Sequence, residues 1–511
     1  MKNLRKSFVH NCSFLVSGLI FWLITGCSPE SASEKYEPSW ESLEKHEAAP
    51  EWFRDAKFGI YFHWGVYTVP AYGSEWYPRW MHFEGHDIYE HHLATYGHPS
   101  EFGYHDFIPM FKAENFNADE WADLFVKAGA RFAGPVAEHH DGFSMWDSKA
   151  TPWNAKEMGP KRDITGELAE AIKERGMKFI TTFHHAKQLQ RHDSIPENPD
   201  DYGYRLSHFP FIEGMPPSSD DDKLKYLYGN MPEDQWLEEI WLAKLKEVID
   251  QYQPDIMWFD YVLDAIPEAY RQEYAAYYLN EAEKWKKEVV IVRKQDDLPL
   301  EFTVDDLEKS RKNRIGEEPW MTDETVSKGS WCYTENLEIK KSKDVLHVLI
   351  DIVSKNGVLL LNISPMADGT IPDIQQKVLL DIGDWLGKFG EAIYETEPWY
   401  TFGEGPTKEP EGHFKYHRDF LKIVYSAADV RYTKKDDHIY ATLLGWPGAG
   451  KEIRLMAFAE DQLPEPLGIR EVSMLGSDVK LEWQLKDDGL AIHTPSEAPD
   501  EMAVVFKISL E

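Results

Sequence analysis

The sequence predicts an α/β architecture, an irregular (β/α)8-like barrel followed by a C-terminal β-sandwich, and three observations carry that prediction. Apolar runs with strand character alternate with amphipathic helical stretches from residue 57 to residue 363. The helical period fades near Pro398, and residues 416–507 break into short alternating segments separated by Gly-, Pro- and Asp-rich turns. The chain has 511 residues, 42% of them hydrophobic, which suffices for one large catalytic-sized domain and a smaller second one.

In chain order, residues 57–64 (KFGIYFHW) read as a buried strand. A helix follows at 118–127. Asn117 and Glu120 make a capping pair, Trp121, Leu124, Phe125 and Ala128 recur at helical spacing, and Gly129 stops it. Residues 131–138 read as a strand, 164–175 as a helix closed by Gly176, and 177–183 as the next strand. Pro232 opens a long helix to residue 250, and 254–260 returns as a strand. Further helix–strand pairs fall at 267–287 with 288–292 and at 343–354 with 358–363. Repeated units of this kind build a parallel sheet, and closure into a barrel buries it on both faces. Past residue 416 the expected strands are 420–424, 438–444, 480–484 and 503–508. The organisation predicted is a signal at 1–26, a tether at 27–49, the barrel at 50–400, a linker at 401–415 and the sandwich at 416–511.

Lys2, Arg5 and Lys6 precede an apolar stretch, residues 14–25, too short to span a bilayer comfortably, which is the pattern of an export signal. It ends Leu23-Ile24-Thr25-Gly26-Cys27, which resembles a bacterial lipobox and implies lipidation of Cys27. The expectation is an exported lipoprotein, periplasmic or outer-membrane associated, touching the membrane only through this anchor. Cys12, Cys27 and Cys332 are too few for a disulfide framework or a thiolate metal site. The net charge of −34 repels phosphate backbones and argues against a nucleic-acid partner.

In a barrel the reacting groups project from the C-terminal ends of the strands. Those ends carry His63-Trp64, Glu138-His139-His140-Asp141, His184-His185 and Trp258-Phe259-Asp260, and an early loop adds Glu75-Trp76-Tyr77. A lone His or Asp at a strand end is usually a turn or cap residue, but convergence of five such groups on one rim points to chemistry. Imidazoles are common metal ligands. Adjacent His139 and His140 in an extended segment would face opposite ways, however, so a metal centre is disfavoured and no cofactor is expected. Glycoside hydrolysis fits better. Two carboxyls break the bond, while His, Trp and Glu hold hydroxyls and stack on the sugar.

Six motifs then identify a relationship: WFRDAKFGIYFHWGVY (52–67), SEWY (74–77), HHDGFSMW (139–146), GPKRDITGEL (159–168), PDIMWFD (254–260) and DIVSKNGVLLLNISPMADGTIP (351–372). Together they resemble the α-L-fucosidases of glycoside hydrolase family 29, over residues 52–399. The resemblance implies exo-acting release of terminal α-L-fucose from fucosylated glycans, retention of configuration through a covalent fucosyl-enzyme, and no metal. It implies Asp260 as nucleophile, and His63, Glu75, Trp76, His139, His140, Trp258 and Arg293 as sugar contacts. Two departures stand out: Thr182-Phe183-His184-His185 replaces a usual Tyr-Tyr-Ser pattern, and Trp331-Cys332-Tyr333 a usual Trp-Gly-Tyr. For the acid/base the best match is Glu308, in TVDDLEKSR (303–311), with Glu317 and Glu318 as runners-up. A glycan receptor without catalysis is the alternative of another class, and intact Asp260 argues against it. A hydrolase of a related sugar such as galactose is the other.

Overall fold

Eight parallel strands close on themselves in sequence order: β1 (Phe58–Phe62), β2 (Phe132–Glu138), β3 (Lys178–Phe183), β4 (Ile256–Phe259), β5 (Val290–Arg293), β6 (Val304–Asp306), β7 (Trp320–Thr325) and β8 (Gly357–Ile363). β1 pairs in parallel with both β2 and β8, which is the closure. The computed structural model describes residues 35–190, 207–410 and 420–511. The expected signal, Cys12 and the expected lipidation site Cys27 lie outside the described residues.

Side chains alternate along each strand, and this sorts the barrel into two cores. Tyr61, Val136, Ile180, Ile256, Trp258, Val290, Val292, Val304, Met321, Val358 and Leu360 pack together as the filling. Their neighbours, among them Ile60, Phe179, Met257, Ile291, Leu359 and Leu361, belong to the larger core shared with the surrounding helices. Those helices start where sequence chemistry places them. The Asn117 side chain accepts from the amides of Asp119 and Glu120 at the head of Ala118–Lys127, and Asp163 accepts from the Gly166 amide at the head of Ile164–Glu174.

Several expectations need correction. β6 and β7 were not legible: VDD is three residues long, and WMTDET carries buried polar side chains that break the apolar run. The long helix from Pro232 divides into Glu233–Trp236, a π-helical stretch Leu237–Leu242, and Ala243–Tyr252. The stretch expected as tether is bound to the barrel from Tyr36 onward. Tyr36 exchanges backbone hydrogen bonds with the Asn280 amide, Trp40 stacks on Phe302, and Leu43 is buried.

Beyond the barrel, β9 (Glu397–Glu404), β10 (Val430–Lys435), β11 (His438–Leu443), β13 (Ile469–Met474) and β16 (Val504–Leu510) form a five-stranded antiparallel sheet. β12 (Glu452–Leu455), β14 (Glu482–Lys486) and β15 (Gly489–His493) form a three-stranded one. Trp399, Tyr432, Phe458 and Phe506 lie in the core of this unit. The expected linker at 401 therefore begins inside β9, whose residues pair with β10. Residues 420–424 hold a turn at 421–422 and no strand. Asp351 on the helix Ser342–Ser354 joins the units: it accepts from Arg431 Nε of β10 at 2.5 Å and from Lys355 Nζ at 2.7 Å.

Candidate active site

Two residues beyond each inward-facing apolar position the strands end, and the same face then carries polar groups. The register runs Gly59, Tyr61, His63; Ile180, Thr182, His184; Ile256, Trp258, Asp260; Val290, Val292, Lys294; and Val304, Asp306, Glu308. These ends surround a cavity of about 500 Å³, a size suited to a small polar ligand, lined by His63, Glu75, Trp76, His139, His140, His184, Trp258, Asp260, Tyr261, Lys294, Glu308, Lys309, Asp323 and Trp331 among others.

The centre of the cavity is one ammonium among four carboxyls. Lys294 Nζ lies 3.1 Å from Glu308 Oε2, 3.4 Å from Asp260 Oδ1, 3.4 Å from Asp323 Oδ2 and 3.7 Å from Asp306 Oδ2. Tyr61 donates to Asp323 Oδ2 at 2.9 Å and fixes that carboxylate from below. The two expected catalytic carboxyls differ in state. Burial pushes Asp260 up, but the charges beside it, the Lys294 ammonium foremost, more than reverse this and hold it well below the usual carboxylate range. Burial pushes Glu308 up to about 7; Lys294 opposes the rise while Asp323 and Asp260 add to it. One carboxyl is thus ionised and its neighbour protonatable near neutrality, the division of labour a nucleophile and a general acid require.

Around them stand the groups for a polyol. Asn362 Nδ2 donates to the Trp331 carbonyl at 2.7 Å, so its Oδ1 faces His63 and accepts from the backbone amide at 2.9 Å and from Nδ1–H at 2.8 Å. His63 Nε2 therefore keeps its lone pair toward the cavity. His140 donates from Nδ1 to the His184 carbonyl at 2.5 Å and turns Nε2 to Asp260 Oδ2 at 3.4 Å. Glu75 accepts from the Trp331 amide at 3.1 Å and from Ser330 Oγ at 3.0 Å, which ties the early loop to the loop after β7. Trp76, Trp258 and Trp331 supply apolar faces.

Of the expected sugar contacts, Arg293 alone lies off the cavity. Its Nη1 donates to the Leu298 carbonyl at 2.5 Å, and it pairs with Asp296 and Asp305. The cause is the period of two: Val290 and Val292 face inward, so Lys294 follows them and Arg293 faces sideways. Applied to VVIVRK, that alternation would have found Lys294 from sequence. Glu317 and Glu318 precede β7 at the opposite, N-terminal end of the barrel, and Glu318 lines a separate groove with His46 and Leu300. His139 and His140 do not face opposite ways. The β2–β3 pairing shifts between Val136 and Glu138, Glu138 turns out to meet Lys244 at 2.7 Å, and both histidines reach the cavity. His63, His139 and His184, from three different strand ends, form a group able to hold a metal ion. His185, by contrast, lies outside the cavity against Trp241, and Asp141 accepts from Tyr104 at 2.5 Å.

Comparison with known proteins agrees with this geometry. A profile of the α-L-fucosidase family matches residues 23–391, and one of the α-L-fucosidase C-terminal domain matches residues 425–509. The tissue α-L-fucosidase of Rattus norvegicus is 30% identical over 491 residues, covering 93% of this chain and 91% of that one. The plasma α-L-fucosidase of Homo sapiens is 30% identical over 489 residues, covering 91% and 90%. The crystal structure of Thermotoga maritima α-fucosidase in complex with fucose superposes with a TM-score of 0.72 at 28% identity, covering 93% of this chain and 100% of that one. The same enzyme with a mechanism-based inhibitor gives a TM-score of 0.72 at 29% identity. Carboxyls in opposed states at the C-terminal mouth of a closed barrel, and these matches along nearly the whole chain, lead to one conclusion: the chain belongs to the α-L-fucosidase family.

Proposed function

We propose that this glycoside hydrolase removes terminal α-L-fucosyl residues by double displacement, with Asp260 as nucleophile and Glu308 as acid/base. Asp260 attacks the anomeric carbon as Glu308 gives its proton to the departing glycosidic oxygen, leaving a β-linked fucosyl-enzyme and a free alcohol. Glu308, now a carboxylate, takes a proton from water. That water attacks the same carbon, the Asp260 ester breaks, and the configuration is retained. The observation that carries this reading is the shared Lys294 ammonium, which ties the two carboxyls to one point while keeping one ionised. His63 Nε2 accepts from a sugar hydroxyl, and the indoles cover the apolar face.

The test separates the two roles. Asp260→Gly is expected to lose at least about 10³-fold in turnover, and azide should restore it with β-fucosyl azide as product. Glu308→Ala is expected to lose about 10²–10⁴-fold on natural fucosides but little on fucosyl-enzyme formation from an aryl fucoside with a good leaving group, and azide should yield α-fucosyl azide. Equal losses of Glu308→Ala on both substrates, with no azide response, would remove Glu308 from the role.

We also propose that Cys27 carries lipid and anchors the chain as an exported bacterial lipoprotein, on the support of Leu23-Ile24-Thr25-Gly26-Cys27 after a basic start. Among the described residues no helix is long and apolar enough to cross a membrane. The wild-type chain is expected to partition with membranes through its acyl groups, and Cys27→Ala to release it. Recovery of the wild type wholly in soluble form, with an unmodified N-terminal peptide, would overturn this.

A further inference from the structure

His63, His139 and His184 meet on the floor of the cavity from the ends of β1, β2 and β3, all three buried. Their ring centroids lie 4.6 to 5.5 Å apart, and one ring nitrogen from each falls within 4.8 Å of the other two. A tetrahedral ion with nitrogens at about 2.0–2.1 Å needs somewhat closer donors, so the rings must contract slightly around it. No hydrogen bond opposes this at Nδ1 of His139 or Nδ1 of His184, both of which are buried without a partner.

The set has the chemistry of ligands and not only of packed rings. His63 holds its Nδ1–H on the Asn362 amide oxygen, the outer-shell arrangement that orients metal-bound imidazoles and leaves Nε2 as donor. The Asp260 carboxylate, close enough to act electrostatically on His63 and His184, favours a cation there. Lys294, which opposes one, is engaged by four carboxyls. Imidazole donors suit zinc, copper, nickel and cobalt over magnesium or calcium.

We propose that His63, His139 and His184 form a three-imidazole site for a borderline divalent cation such as Zn²⁺, and that the bound ion and the sugar exclude one another. The metal is then a reversible competitive inhibitor and not a cofactor of hydrolysis. The exclusion rests on the fucosidase reading, since the same histidines line the sugar cavity; the metal site does not.

The experiment titrates the full-length, chelator-treated chain with Co²⁺ alone and follows the visible absorption of tetrahedral nitrogen-ligated cobalt. One equivalent is expected to bind with those bands, and saturating L-fucose to bleach them. His184→Phe and His139→Gln, each checked for folding by circular dichroism, are expected to bind at least tenfold more weakly. Absence of the bands in the wild type, or unchanged affinity in a folded variant, overturns the site. Bands that persist in saturating L-fucose overturn the exclusion. Failure of the fucosidase reading shows separately, as no hydrolysis of an aryl fucoside by the metal-free chain.

Discussion

Carboxyls that share one ammonium, as Asp260 and Glu308 share Lys294, do not titrate independently, and in the proposed mechanism that sharing sets the pH range of the reaction. In the proposed mechanism Glu308 is protonated to assist departure, and burial places it at about 7, so kcat/KM on natural fucosides should fall as pH rises through about 7. The proposed nucleophile Asp260 acts ionised, and Lys294 holds it well below the usual range, so no matching loss is expected on the acid side until far lower pH. Lys294→Met removes the charge that lowers both groups. The alkaline limb should move up, and an acid limb from Asp260 should enter the measured range. A pH–rate profile of the variant with both limbs where the wild type has them would show that Lys294 does not tune the pair. The sequence named both carboxyls, because each sits in a motif. It named Arg293 in place of Lys294, because a motif gives position along the chain and not the face of the strand.

Strand contacts in the barrel tolerate little added volume where backbones approach. Gly134 in β2 is such a place: a Cβ there would come within 1.7 Å of the Ile180 carbonyl oxygen of β3, a backbone atom that cannot turn aside. Gly134→Ala should therefore cost about 3 kcal/mol or more and lower the urea midpoint, while a change at exposed Val126 should move it little. An unchanged midpoint would mean that β2 and β3 separate more easily than their register implies. Elements with strong periodicity, such as the Asn117-capped helix 118–127 and the apolar β8, were legible because local pattern and buried face coincide. β6 was not: three residues, two of them Asp305 and Asp306, look like a polar loop, and only pairing with β5 and β7 makes them a strand.

The folded chain holds many histidines neutral, which links its stability to pH. Burial pulls His63, His82 and His185 down to about 3 and His347 to about 4. In the unfolded chain they titrate near about 6.5, so between these values the unfolded state binds more protons than the folded one. Stability should therefore fall as pH drops from about 6.5 toward 4, with the histidine contribution fully present above that range. Thermal midpoints measured across pH 4 to 7 in one buffer series check this, and a midpoint that rises on acidification would contradict it.

Composition, the alternation of strand and helix, and the ordered motifs were enough to establish a barrel with a β-rich C-terminal unit, its family, and the carboxyls Asp260 and Glu308 as candidates. These are local or order-dependent properties, carried by periodicity and spacing along the chain. Which side chains share the cavity was decided only by closure of the sheet. Closure puts Lys294 against residues 14 to 34 positions away, gathers three histidines from separate strands, and sends Glu317 and Glu318 to the far end of β7. It also binds residues from Tyr36 onward to the barrel, a contact that needs Asn280 and Phe302 to be in place first. The physical reason is the same throughout: inward or outward is settled by strand register and bulges, and register is a relation between distant segments.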